Sequence, residues 1–118
     1  CVQNTYVAEF HPDLQTNKID RILLKGTQNK DDGYSAFDAT TISLRDFLRE
    51  EGVTDLYVCG LATDYCVKAT ALDACKQGFR TYVITDAVAA VNLNPGDDKK
   101  ALEEMSSQGC ILVKSSEI

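Results

Sequence analysis

Short, nearly continuous apolar runs alternate along this chain with segments of helical period, and that alternation narrows the fold more than any other feature. The runs fall at 19–25 (IDRILLK), 55–60 (DLYVCG), 81–85 (TYVIT) and 110–113 (CILV). Strands covered on both faces carry such unbroken apolar sequence, whereas strands with one wet face alternate. Between the first two runs, 40–51 sets Leu44, Phe47 and Leu48 at helical spacing behind a Thr40 or Ser43 cap, with Gly52 as the stop. The segment 64–77 repeats Val67, Ala71 and Ala74 on one face, and Gly78 follows it. A third helix is expected over 99–108, capped by Asp97 or Asp98 and closed by Gly109. The order β-α-β-α-β-α-β predicts an α/β domain: a three-layer α/β/α arrangement with a parallel β-sheet and helices on both faces. Four strands make a small sheet for that architecture. The chain also opens on Cys1-Val2-Gln3 without Met. Residues 1–118 are therefore expected to be a single α/β domain lacking amino-terminal strands, the carboxyl-terminal portion of a larger one.

Composition removes several function classes. A length of 118 residues, 44% hydrophobic and 25% charged, suits a soluble globular domain with a real core. The net charge of −6 and the lack of any Lys/Arg cluster argue against nucleic acid as a partner. No apolar run approaches the roughly 20 residues that span a bilayer, so no membrane partner is expected. The cysteines (1, 59, 66, 75 and 110) form no CxxC pair, and His11 is the one histidine. That pattern excludes a Cys/His zinc cluster and fits reduced thiols in a cytoplasmic protein.

The chemistry points to the stretch DLYVCGLATDYC (55–66). An apolar strand ends at Gly60, a short turn follows, and Cys66 enters the first turn of the next helix. Unpaired N–H groups and the helix dipole stabilise a thiolate there, and the thiolate is the nucleophilic form. The competing reading is a buried cysteine packing as a small apolar residue. Lys25 ends the first predicted strand, either as a solvated strand end or as a cation beside an anionic nucleophile. Ligands in parallel sheets sit beyond the carboxyl ends of the strands, where Lys25, the turn 60–66 and Asp86 all fall. The loop 26–39 carries Tyr34-Ser35-Ala36-Phe37, whose rings cover a ligand or cap the core. His11, before Pro12, reads as a loop residue rather than a general base. Cys1 as an N-terminal nucleophile is a further, less supported option.

The stretches CVQNT, AEFHPDL, LLKGT, YSAF, GVTDLYVCGLATDYCVKATALDA and ITDAVAAVN together resemble the nicotinamidases (pyrazinamidases) of the isochorismatase-like cysteine hydrolases. The match runs from Cys1 to about Met105, and GLATDYCVKATALDA is its most specific part. The resemblance implies a domain about twice this length with a six-stranded parallel sheet. It implies a Cys-Asp-Lys triad in which Cys66 is the nucleophile and Lys25 the lysine. It further implies an oxyanion hole from the N–H groups of Ala62 and Cys66, a cis peptide at Leu61–Ala62, and Tyr34 lining the substrate pocket. No residue here matches the triad aspartate. The ligands of the divalent metal (zinc, or iron or manganese) are expected upstream of Cys1, so this chain alone holds none. Val7 stands where relatives often have Gly, and Asp64 reads as a helix cap.

By that resemblance the complete enzyme hydrolyses nicotinamide, or pyrazinamide, to the acid and ammonia through a cysteine thioester, in NAD salvage. This chain alone is expected to be inactive. A homo-oligomer, or association with the missing amino-terminal part, is expected from the sheet edge left open. The alternatives are another amidohydrolase of the family acting on a carbamoyl or ureido substrate, or a non-catalytic fragment.

Overall fold

A computed structural model of the chain describes residues 5–6, 9–25, 34–38 and 43–118. Cys1, Val7, most of the loop 26–39 and the Thr40 cap lie outside the described residues.

Three parallel strands form the sheet among the described residues, in the order β1 (Asp55–Leu61), β2 (Arg80–Ala89) and β3 (Ile111–Val113). Val58 pairs with Val83, and Val83 with Leu112, so β-branched and apolar residues sit side by side across the ladder. The pairing then jumps to Gly60↔Val88 and Leu61↔Ala89. This irregularity corrects the expected end of the 81–85 strand at Asp86: β2 runs on to Ala89 because its last residues pair with the end of β1.

The segment 19–25 is not a strand. Among the described residues no strand runs over 19–25, and Ile22 and Leu24 are half exposed. Arg21, within the run, stacks its guanidinium over the Phe47 ring of the helix that follows, at 5.1 Å. The sheet therefore has one strand fewer than the apolar runs predict.

Helix α1 (Leu44–Glu50) starts where the Ser43 hydroxyl accepts the Asp46 N–H at 3.4 Å. The helix expected over 64–77 is built in two parts, a π-helical turn at Thr63–Val67 leading into α2 (Lys68–Lys76). Helix α3 (Asp97–Ser107) begins two residues earlier than its pattern predicts. Gly96, at φ 88°, occupies the cap position, so neither Asp97 nor Asp98 is the cap. Both carboxylates instead lie in the first turn, on the favourable end of the helix dipole. The Asn92 side-chain oxygen accepts the Asp98 N–H at 2.9 Å.

The core lies on one face of the sheet. Val67, Ala71, Val83, Ala101, Met105 and Cys110 are buried together, with Val58, Leu72 and Leu102 against them. Small residues on α2 (Ala71, Ala74) and α3 (Ala101) allow both helices to approach the strands closely. On the other face Tyr57 and Tyr82, paired in register, stack at 4.6 Å and 11°. Tyr57 remains 48% exposed and Ile111 42%. The described residues thus supply the helical layer on one face and leave the second face open.

Candidate active site

The strand β1 hands the chain to its helix through a short, unusual backbone path. Gly60 takes φ 105°, a conformation open to glycine and strained for other residues. The Leu61–Ala62 peptide bond, at the position the resemblance marks, is cis. The π-helical turn follows, with the Ala62 carbonyl accepting the N–H of Tyr65 at 3.1 Å and of Val67 at 2.9 Å. Thr63 and Val67 are buried at its two ends, so the turn is anchored while Cys66 between them stays partly open.

The Cys66 Sγ lies 3.3 Å from the Lys25 Nζ, although 41 residues separate them. Lys25 is therefore not a solvated strand end. The Lys25 side chain and the first helical turn thus both adjoin the Cys66 sulfur. Both side chains line a cleft of about 380 Å³ at the edge of β1 away from β2, an edge strand among the described residues. Leu56, Tyr57, Val58 and Cys59 all reach that cleft, which consecutive residues manage only on an edge strand. Leu44 and Leu48 of α1 form the opposite wall. The cleft is chiefly apolar, with the Lys25–Cys66 pair as a polar end suited to a small ring carrying one polar group.

The segment 34–38 docks against α2. The Ala36 N–H donates to the Thr70 hydroxyl at 2.8 Å, and the Phe37 and Phe79 rings meet at 6.2 Å. Tyr34 consequently packs on Tyr65, with centroids 5.7 Å apart, beside the nucleophile in sequence. Tyr34 is 49% exposed and is not among the residues lining the cleft. Ala36 and Phe37 of the same segment do line it. The sequence singled out this aromatic segment, but spacing alone did not say which of its residues face the cleft.

Asp64 is a correction. It does not cap its helix; its two carboxylate oxygens accept the N–H groups of Val91, at 3.0 Å, and Asn92, at 2.9 Å. Partial burial works against its charge, but these donors outweigh that penalty and hold its pKa below the usual carboxylate value. Asn92 sits at φ 53°, in the left-handed region that asparagine tolerates better than most side chains. A chain of contacts thus runs from the nucleophile turn through Asn92 to the start of α3. No local signal announced it, since the partners lie 27 and 28 residues away.

Asp86 does not join the site. Its carboxylate accepts the Ser115 hydroxyl at 2.6 Å and the Ser115 N–H at 2.8 Å, which depress its pKa and fasten the turn after β3. His11 is exposed and accepts the Asp13 N–H at 3.1 Å, as a loop residue would. Among the described residues no group of three or more His, Cys, Asp or Glu side chains could hold a metal ion. The described residues do not fit a metal centre.

The isochorismatase domain matches residues 1–117. The chain is 44% identical over 116 residues to a nicotinamidase of Escherichia coli, covering 95% of this chain and 54% of that protein. Among solved structures it is similar to a pyrazinamidase of Pyrococcus horikoshii in complex with zinc. That similarity has a TM-score of 0.82 and 46% identity, over 97% of this chain and 60% of the other. It is also similar to PnC1 from L. infantum in complex with nicotinate, with a TM-score of 0.89 and 36% identity over 98% and 59% of the two chains. The chain spans between 54% and 60% of the length of these relatives. With a matching domain over almost every residue, a parallel sheet and a cysteine at the strand–turn–helix junction, this chain belongs to the isochorismatase family and carries part of its α/β fold.

Proposed function

We propose that the protein formed by this chain is a nicotinamidase, hydrolysing nicotinamide, and pyrazinamide, to the acid and ammonia. One observation supports this most: a cysteine in the first helical turn lies 3.3 Å from a lysine at the end of an apolar cleft. The nicotinamidases and pyrazinamidases among the similar proteins give the substrate class.

Cys66 is the nucleophile. Its thiolate attacks the carboxamide carbon, and the carbonyl oxygen becomes an oxyanion facing the N–H groups of Ala62 and Cys66. A well-placed donor of this kind contributes roughly 3–4 kcal/mol to the barrier. Collapse of the tetrahedral species breaks the C–N bond, and the nitrogen leaves as ammonia after taking up a proton. The thioester carbon then accepts water, which releases nicotinate and returns the thiol. Lys25, 3.3 Å from the sulfur, holds Cys66 in position for attack. Ala36 and Phe37, from the segment that carries Tyr34, line the cleft beside Cys66, and the substrate ring rests against them.

The general acid for the departing ammonia has no counterpart in these 118 residues, so the chain by itself is inactive in this reading. The protein acts in the cytoplasm, where a stable structural disulfide is not expected. The open edge of β1 and the Tyr57 face favour association, with a second copy or with the rest of the domain.

The test is ammonia release by the whole protein and its Cys66→Ala variant, with nicotinamide, pyrazinamide and N-carbamoyl compounds as substrates. Nicotinamide is expected to be turned over by the wild type alone. Wild-type rates in the variant would remove Cys66 from the reaction. Preference for an N-carbamoyl compound would move the substrate elsewhere in the family.

A further inference from the structure

We propose that Cys75 and Cys110 form a reversible disulfide, a redox modification site separate from the Cys66 cleft. Cys75 lies in the last turn of α2, and Cys110 immediately precedes β3. Their sulfurs are 3.1 Å apart, so a bond of about 2.05 Å needs an approach of only about 1 Å. The two residues differ in access. Cys110 is buried at 5% exposure, whereas Cys75 is partly exposed and lines two surface grooves, beside Lys76 and Gln108 and beside Gly78 and Gly109. An oxidant in solution therefore meets Cys75 first, and Cys110 stands behind it as the resolving thiol.

Burial, reinforced by the hydrogen bond and charge interaction with Cys75, pushes the Cys110 thiol up to about 12. Cys110 accordingly keeps its proton until the partner sulfur has been oxidised. Hydrogen peroxide, or a peroxide of the same class, transfers one oxygen to Cys75, giving a sulfenic acid and one water. The Cys110 sulfur then attacks the Cys75 sulfur, the S–O bond breaks, and the hydroxide leaves as a second water with the Cys110 proton. Two thiols and one peroxide thus become one disulfide and two waters. A dithiol reductant reverses the change by thiol–disulfide exchange. The bond would fasten the end of α2 to the start of β3 and enclose β2 and α3 between its ends.

The sequence makes the test clean. Trypsin places Cys75 alone in the peptide 69–76 and Cys110 alone in 101–114, while Cys59 and Cys66 share the peptide 50–68. The folded protein, treated with a small excess of hydrogen peroxide and digested without reductant, is expected to yield 69–76 joined to 101–114. Dithiothreitol should restore both free peptides, and the oxidised protein should melt several degrees higher. Cys66→Ser, which removes the reactive nucleophile, should leave the cross-link intact, and Cys75→Ser should abolish it. Recovery of both peptides as unlinked, singly alkylated thiols would overturn the proposal. So would a cross-link joining Cys75 to the 50–68 peptide or to a second chain. The peptide map of the wild type needs no variant to fold.

Discussion

Two sides of the same strand are finished differently. Towards β2, the Val83 partner of Val58 is sealed, and Val83 and Met105 have no exposed surface. Towards its other edge, β1 borders a cleft that includes exposed residues, with Leu61 at 74% exposure. The sealed side supplies rigidity: α2 is held by Ala71 and Ala74 against the sheet, and the turn bearing Cys66 is the extension of that helix. The open side supplies access, because a carboxamide can reach only a sulfur that packing has not covered. Nucleophile and core thus share one helical element, with chemistry at its beginning and packing along its length.

If that division of labour is right, damage to the two sides should separate. Cys66→Ala should lower turnover in the whole protein by roughly 10⁴-fold or more while leaving the melting temperature close to wild type. Steady-state ammonia release and a thermal scan on the same sample check both halves, and a large fall in stability would blur the comparison. Met105→Ala should do the reverse, costing about 2–5 kcal/mol of stability through the cavity left under α3. Denaturant titration measures that loss, and the activity of the fraction still folded should be nearly unchanged. Lys25→Met should slow turnover by roughly 10²-fold, a smaller loss because the helix start still favours the thiolate. Its independent readout is slower alkylation of Cys66 by iodoacetamide; an unchanged rate would detach Lys25 from the sulfur.

The smallest effect is expected far from the cleft. Hydrogen bonds from Ser115 hold the Asp86 pKa below its ordinary value. Between the folded and unfolded values the unfolded chain binds more protons, so stability increases with pH through that window. The contribution is present above the unfolded value of about 3.9 and disappears as pH falls through the folded one. Asp86→Asn should therefore flatten the acid limb of the stability curve below about pH 4 and leave neutral activity untouched. A flattening as large at pH 7 would mean that Asp86 supports more than the turn after β3.

Much of this organisation is legible in the amino-acid order. The apolar runs at 55–60, 81–85 and 110–113 become parallel strands, and Ser43 and the Val67/Ala71/Ala74 stripe behave as their positions predict. Cys66 stands out because a thiol at a strand–turn–helix junction has few neighbours that compete for its meaning. What escapes the sequence is set by contacts between distant residues. The run 19–25 is apolar enough for a strand, but it lies outside the three-stranded sheet of the described residues, with Arg21 over the distant Phe47 ring. Asp64 looks like any capping carboxylate until two N–H groups from beyond β2 arrive at it. Gly96 takes the cap of α3 from two aspartates because its backbone accepts the left-handed turn that they resist.

The tie from Asp64 to Val91 and Asn92, continued to Asp98, also sets which length changes the chain can absorb. Surface loops ordinarily tolerate an added or deleted residue at small cost. Here the loop between β2 and α3 is fixed at one end by the nucleophile turn and near the other by the first turn of a helix. One residue inserted after Ala90 must slide those two N–H groups off the carboxylate or drag the turn with them. A stretch that touches no substrate thereby acts as a ruler for the site, and its length is a quantity that anyone splicing or redesigning this domain must keep.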